Sequence, residues 1–385
     1  MRGLRHIDRL GALLAAIGAA ALAWLPFVVF KLNRILPGDP RGLLQVLPAP
    51  ASLACVAALI LAASAALLIA KPQVRLLAAL LGLVALAAAL AAAGDVLTPL
   101  GNQVVRVAPG SGFWVLFASL GMMASDAVTR LRPGPGMRVL YLAVFIAAAA
   151  IPLAHGTFDH ISVMREYRVN AGRFQHEARR HVLLAFGSLA AAVLVALPVG
   201  IFCHRVPRLR GAIQGALNLL QTIPAIALFG ILMAPLGALA AAVPFAARIG
   251  VSGIGAAPAL VALFLYSLLP IVANTVAGLK RVSPAAVEAA RGMGMTSWQI
   301  LAGVELALAL PVILTGIRIV LVQNIGLVTI AALIGAGGLG TFVFQGIGQN
   351  AIDLVLLGAI PTVALAFSAT VILDALVEVM NRKPP

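Results

Sequence analysis

The residues whose types and spacing are most telling lie between Lys280 and Pro311. Ser283 followed by Pro284 sets an N-cap residue ahead of the residue best tolerated at the first helical position. Ala285, Ala286, Val287, Glu288, Ala289 and Ala290 then continue a short helix, and Gly292 and Gly294 supply the flexible or left-handed positions that end one. A second helix is expected at once, because Thr296 and Gln299 have capping-box spacing while Met295 and Ile300 occupy the staple positions around the same N-cap. The expectation is a sharply bounded helix, turn, helix over 280–306. Two caps suit a rigid lever pressed into a partner; the rival reading is an ordinary interfacial helix.

Patterns that would carry catalysis fail on spacing or context. His176, Glu177 and His181 resemble a zinc-protease motif, but its histidines must be four apart to share a helix face and these are five apart. Gly335, Gly337 and Gly340 satisfy GxGxxG, yet the run follows an apolar helix rather than a strand, so it reads as a tight turn with close helix approach. No GxxxxGK[ST] loop occurs in the sequence, so ATP, if used, is expected on a separate subunit, and no cofactor or metal is expected here. The acids Asp95, Asp126, Asp159, Asp353 and Asp374 are scattered, which argues against an integral-membrane enzyme acting on a lipid or isoprenoid. Cys55 and Cys203 stand at apolar runs without a pairing pattern.

The elements that position this loop are set by composition. Hydrophobic residues are 62% and charged residues 10% of the 385, with a mean hydropathy of +1.08, whereas soluble domains carry about 45–50% and about 25%. Lipid must serve as solvent, and in the absence of recurring alternating strands the fold class expected is an all-α polytopic membrane protein. About ten apolar runs approach membrane length: Leu10 to Phe30, Ala51 to Ala70, Val74 to Ala93, Phe113 to Val128, Val139 to Leu153, Val182 to Phe202, Ile213 to Pro235, Pro258 to Leu279, Leu310 to Ile334, and Ile352 to Val379. The first run, preceded by Arg2, Arg5 and Arg9, has a signal-peptide look at Ala21 to Ala23, but it continues through Phe30 and reads as a span.

A cytoplasmic N-terminus puts Arg2, Arg5, Arg9, Lys71, Arg75, Arg130, Arg132, Arg138, Arg205, Arg208, Arg210, Lys280, Arg281, Arg291, Arg382 and Lys383 on one side, as the positive-inside rule asks. Both termini are then cytoplasmic, and the net charge of +15 reads as topology rather than nucleic-acid binding. Arg165, Arg168, Arg173, Arg179 and Arg180 strain the rule by falling outside. Three regions are expected: a hydrophobic extension over 1–155 with about five spans, a polar segment over 156–180 whose end from Phe174 forms an interfacial helix, and a core over 181–380. The spans of the extension have hardly an intramembrane polar group whereas the core spans carry several, so the candidates for a translocation path are Asn218, Gln221, Pro224, Asn274, Gln323 and Asn324. For Gln323, Asn324 and Arg318 interhelical hydrogen bonding is an equal reading, and for Pro224 a packed kink.

Glu288, Ala289, Ala290 and Gly294, continued by Val304 and Leu306, resemble the EAA loop of permeases of ATP-binding-cassette importers. Ala307 stands where that family usually has proline, and Pro311 matches a second common proline. Gln221 to Pro224, Tyr266 to Leu279 and Leu333 to Gly340 resemble the glycine betaine and choline osmoprotectant branch, and the long extension looks like its Yeh-type members. The resemblance covers about Arg180 to Glu378. It implies a type I importer (MetI-like) transmembrane domain in the bacterial inner membrane, with Ser283, Glu288, Ala289, Ala290, Gly294 and Thr296 in the ATPase-coupling loop. The implied partners are a cytoplasmic ABC ATPase dimer that binds the ATP, a second permease subunit in a heterodimer or homodimer, a periplasmic substrate-binding protein and membrane lipid. The implied cargo is a quaternary ammonium solute, with an amino acid or sulfonate as the alternative. Phe229, Phe264, Tyr266 and Phe344 are the aromatics expected along its path.

Overall fold

The computed structural model describes residues 8–33, 36–99, 101–102 and 104–381. The expected cytoplasmic charges Arg2, Arg5, Arg382 and Lys383 lie outside these residues. The chain forms two compact units that divide between Val169 and Asn170.

The first unit contains α1 (Arg9–Trp24), β1 (Val28–Lys31), β2 (Asp39–Arg41), α2 (Leu43–Val46), α3 (Ala49–Leu68), α4 (Pro72–Leu97), β3 (Arg106–Pro109), α5 (Ser111–Leu131) and α6 (Pro135–Ala154). Its core is built from small and aliphatic side chains such as Leu14, Ala62, Ala79, Leu86 and Leu120, so α1, α3, α4 and α5 approach closely. The strands pair antiparallel in the order β2-β1-β3, with Val28 opposite both Arg41 and Pro109. At three or four residues each they are too short to show alternation in the sequence.

Charged residues gather the helix ends. Asp8 caps α1 by accepting from Gly11 N (2.8 Å) and also receives Arg75 (3.0 Å) and Arg130 (2.5 Å). Asp126 completes the group with Arg130 (2.8 Å) and Arg75 (3.6 Å), while Arg75 donates to the Ala66 carbonyl near the end of α3 (2.7 Å). Two of the arginines that strain the positive-inside pattern also have local partners: Arg165 donates to the carbonyls of Val105 and Asn102, and Arg168 pairs with Asp159.

Helix α7 (Ser162–Arg205) starts twelve residues before the expected Phe174, and its helical geometry breaks at Asn170 (φ −110°, ψ 15°), where the units divide. The second unit continues with α8 (Pro207–Thr222), α9 (Ala225–Ala242), α10 (Pro244–Arg248), α11 (Ala256–Lys280), α12 (Pro284–Gly292), α13 (Ser297–Ile300), α14 (Leu306–Ala331), α15 (Gly340–Gly348) and α16 (Ile352–Asn381). Helices α11, α14 and α16 are its packed centre. Among the described residues nine helices are long and apolar enough to cross a membrane, and α1 is a shorter apolar helix. The molecule is an all-α polytopic membrane protein. The run expected as one span over Ile213 to Pro235 is instead two helices, because Pro224 lacks an N–H and drives Ile223 into the extended region (φ −72°, ψ 127°).

Hydrogen bonding from Arg75 holds the Asp8 carboxyl well below its ordinary range, against the opposing effect of burial. A carboxylate with a depressed folded pKa adds stability above its unfolded value of about 4 and loses it as pH falls through the folded value. Asp8→Asn keeps a capping side chain but no charge. The fall in unfolding temperature of the detergent-solubilised protein between about pH 5 and about pH 3 should therefore be shallower in this variant by scanning fluorimetry, and an unaltered slope would contradict the charge group.

Candidate functional site

Helix α12 begins at Pro284, whose fixed φ suits the first helical position. Ser283 occupies the N-cap, but its hydroxyl makes no capping bond. Its backbone carbonyl takes the Ala286 and Val287 amides instead (3.1 and 3.4 Å), so the expected side-chain cap is corrected to a backbone one. At the other end Gly294 is left-handed (φ 82°). Its amide bonds Arg291 O (2.9 Å), and Met295 N bonds Ala290 O (3.1 Å), the paired closure of a Schellman turn. Thr296 and Gln299 then form the capping box, with Thr296 N to Gln299 Oε1 at 2.8 Å and Gln299 N to Thr296 Oγ1 at 3.4 Å.

Ala290 and Ile300 are buried, whereas Glu288, Ala289, Met293 and Trp298 are exposed. Met293 and Trp298 are 75% and 73% exposed, large apolar side chains in the same loop as the exposed carboxylate of Glu288, the composition of an interaction surface. The loop joins α14 through a π-helical turn, Leu301–Glu305. There buried Glu305 receives Arg205 from the end of α7 at 2.5 Å, and Leu279, Ala309 and Ile313 pack beneath it.

A second cluster surrounds the break at Pro224. Pro270 inside α11 has no N–H, which frees the carbonyl of Tyr266 four residues earlier. Gln221 Nε2 from α8 fills that acceptor at 2.9 Å. The Tyr266 hydroxyl in turn donates to Ile223 O, one of the carbonyls released where α8 ends. Freed backbone groups in a membrane segment must find partners inside the protein, so Gln221 and Tyr266 form a reciprocal joint.

The remaining candidates are dispersed. Asn324 is 0% exposed and donates from Nδ2 to Ser188 and Ser267 (3.0 Å each), cross-linking α7, α11 and α14. Asn274 turns back to Pro270 O in its own helix (2.8 Å). Asn218 is exposed, and Gln323 is half-buried. Arg318 pairs with Asp374 of α16. Phe229 is fully buried, Tyr266 is buried, and Phe264 and Phe344 are half-buried.

Sequence reasoning missed what the discarded patterns do together. Glu177 and His181 are four apart, hence on one face of α7. They accept the amides of Gly338 (2.6 Å) and Leu339 (3.2 Å) in the turn of the GxGxxG run. Among the described residues no group of three or more His, Cys, Asp or Glu side chains is placed to hold a metal ion.

Residues 192–384 match the family of binding-protein-dependent transport system inner membrane components. The chain belongs to this family. It is thus an integral inner-membrane permease component of a transporter and not itself an enzyme. Residues 8–164 match the N-terminal domain of the ABC transporter permease YehY. The permease is 42% identical over 214 residues to the osmoprotectant import permease protein OsmW of Salmonella typhimurium, covering 56% of this chain and 94% of that one. It is 37% identical over 224 residues to the carnitine transport permease protein OpuCD of Listeria monocytogenes (57% and 93% covered). It is 39% identical over 213 residues to the choline transport system permease protein OpuBD of Bacillus subtilis (55% and 87% covered). A chain of the inward-facing MetNI methionine ABC transporter aligns with a TM-score of 0.47 at 25% identity, covering 54% of this chain and 96% of that one.

Leaving the Tyr266 or Ile223 carbonyl unfilled should cost about 0.6–2 kcal/mol, the range of interhelical hydrogen bonds in membranes. Gln221→Leu and Tyr266→Phe are each expected to lower the unfolding temperature of the purified permease, and wild-type values in both would remove the joint.

Proposed function

We propose that this permease translocates a compatible solute of the quaternary ammonium type, glycine betaine, choline or carnitine, across the bacterial inner membrane. The cargo reading is supported by the relatives named for osmoprotectant, carnitine and choline transport, each matched over most of its length. A periplasmic binding protein delivers the solute, two cytoplasmic ATPases bind and hydrolyse the ATP, and a second permease subunit completes the path, as a heterodimer by preference. Both termini face the cytoplasm, which puts the Asp8 group and the coupling loop on that side. Residues 1–155 form the extension, 156–180 a polar outer segment, and 181–380 the permease core.

The observation that carries the mechanism is the exposed handle Pro284–Gly292, rigid at both of its bounds, bearing Glu288 and Ala289 and followed by the exposed apolar pair Met293 and Trp298. The ATPase grips this handle, and closure of the two ATPases displaces it. The displacement passes through Leu301–Glu305 into α14 and tilts the core spans between outward- and inward-facing states. Asn218 and Gln323, the candidates with accessible polar ends, border the path. Gln221 and Pro224 act as its hinge, the Gln221–Tyr266 joint keeping the broken span intact while it moves.

Replacing Glu288 with Ala and Gly294 with Val removes the exposed acid and forces a β-branched residue into left-handed geometry, a strain of about 1–3 kcal/mol. Binding-protein-dependent uptake of labelled glycine betaine should be abolished in this double variant while its amount in the membrane is unchanged. Normal uptake would remove the lever from the mechanism.

A further inference from the structure

We infer that Glu177 and His181 are positioning residues that latch the far end of the lever helix, their bonds to the turn Gly335–Leu339 being made in one state of the transport cycle and broken in the other. The inference rests on the transport reading above. Helix α14 has 26 residues and so carries a displacement over about 39 Å at 1.5 Å per residue. One end meets the coupling loop through Leu301–Glu305, and the other ends in the glycine turn.

That turn is held from outside itself. Gly335, Gly337 and Gly338 have φ of 77°, 77° and 86°, a left-handed path open to glycine, and the Gly338 and Leu339 amides leave it toward α7. Glu177 Oε2 and His181 Nδ1 accept them, and His181 is 0% exposed. The fit is close: a Cβ at Gly337 would stand 2.8 Å from Glu177 Oε2 and 2.7 Å from Arg180 Cδ. The same stretch of α7 reaches α15, where Arg173 donates to Gln345 Oε1 (2.8 Å) and lies over the Phe342 ring (5.3 Å), which also meets Phe174.

Below the turn α7 and α14 share a packed core and the Asn324–Ser188 bond. At the turn itself a few directional bonds end on the backbone of a segment whose glycines can take either hand, and a displacement of that segment away from α7 would break them together. Such a small cooperative set is what a two-state element needs. A fully buried imidazole is costly brace material, which also favours a role in the cycle.

The test uses the complete transporter in proteoliposomes, with ATPase and binding protein, reading ATP hydrolysis with and without binding protein and uptake of labelled glycine betaine. Glu177→Ala and His181→Ala should raise the unstimulated hydrolysis about tenfold toward the stimulated rate and lower uptake about tenfold, as expected when one state loses a buried hydrogen bond. Glu177→Gln keeps an acceptor for Gly338 N and should stay within about twofold of wild type, a rescue that a requirement for the carboxylate's charge would not give. Wild-type hydrolysis, stimulation and uptake in both alanine variants would overturn the latch, as would a glutamine variant impaired like Glu177→Ala. Should the alanine variants fail to assemble, Arg173→Cys with Gln345→Cys, in a background lacking Cys55 and Cys203, replaces them. A cleavable bismaleimide bridge should arrest uptake and its cleavage restore it; undiminished uptake while bridged overturns the latch. If the wild-type complex hydrolyses ATP in response to binding protein yet takes up no glycine betaine, the cargo reading fails, while the hydrolysis comparison still decides the latch.

Discussion

The hydrogen-bonded turn at Gly294 is the constraint on which the rest depends. Two backbone bonds and a left-handed glycine close the end of α12 and fix the turn into α13, and the capping box at Thr296 fixes how the chain returns. Buried Ala290 and Ile300 seat the pair against the protein, which leaves Glu288, Met293 and Trp298 facing out. A handle is useful only if force on it moves something else. The π-helical turn below it, held by the Arg205–Glu305 pair, connects it to an uninterrupted helix.

The core solves a second problem, that of breaking helices in lipid. Proline at 224 and 270 removes backbone donors where water cannot replace them. The break at Pro224 and the proline inside α11 supply each other's missing partners through Gln221 and the Tyr266 hydroxyl, so the freed carbonyls of Tyr266 and Ile223 are filled. Asn324, with Ser188 and Ser267, locks three helices a short distance away. The core thus has a polar cross-link next to the break at Pro224.

What the sequence revealed divides by range. The capping box at Thr296, the two short helices and the glycine stop of the 280–306 loop were legible because each depends on residues within four or five positions. The spans were legible because their composition leaves no other solvent. Contacts between distant residues were not: Gln221 and Tyr266 are 45 positions apart, and Asp8 and Arg130 are 122 apart. A single sequence shows the polar residues but not their pairing. Ser283 misled for a local reason, since its own carbonyl served the amides its hydroxyl was expected to cap. His176, Glu177 and His181 were set aside because the histidines are five apart, and the four-residue spacing of Glu177 and His181 that remained was the signal of a shared face.

The central claim is that the segment around Glu288 is gripped on the cytoplasmic side by a separate ATP-consuming subunit. Met293→Cys, in a permease lacking Cys55 and Cys203, tests it directly through labelling by a membrane-impermeant maleimide. The account predicts rapid labelling in everted vesicles made without the ATPase, strong protection when the ATPase is co-expressed, and none from the outer face of intact cells. Labelling from outside, or labelling in everted vesicles that the ATPase leaves unchanged, would contradict it.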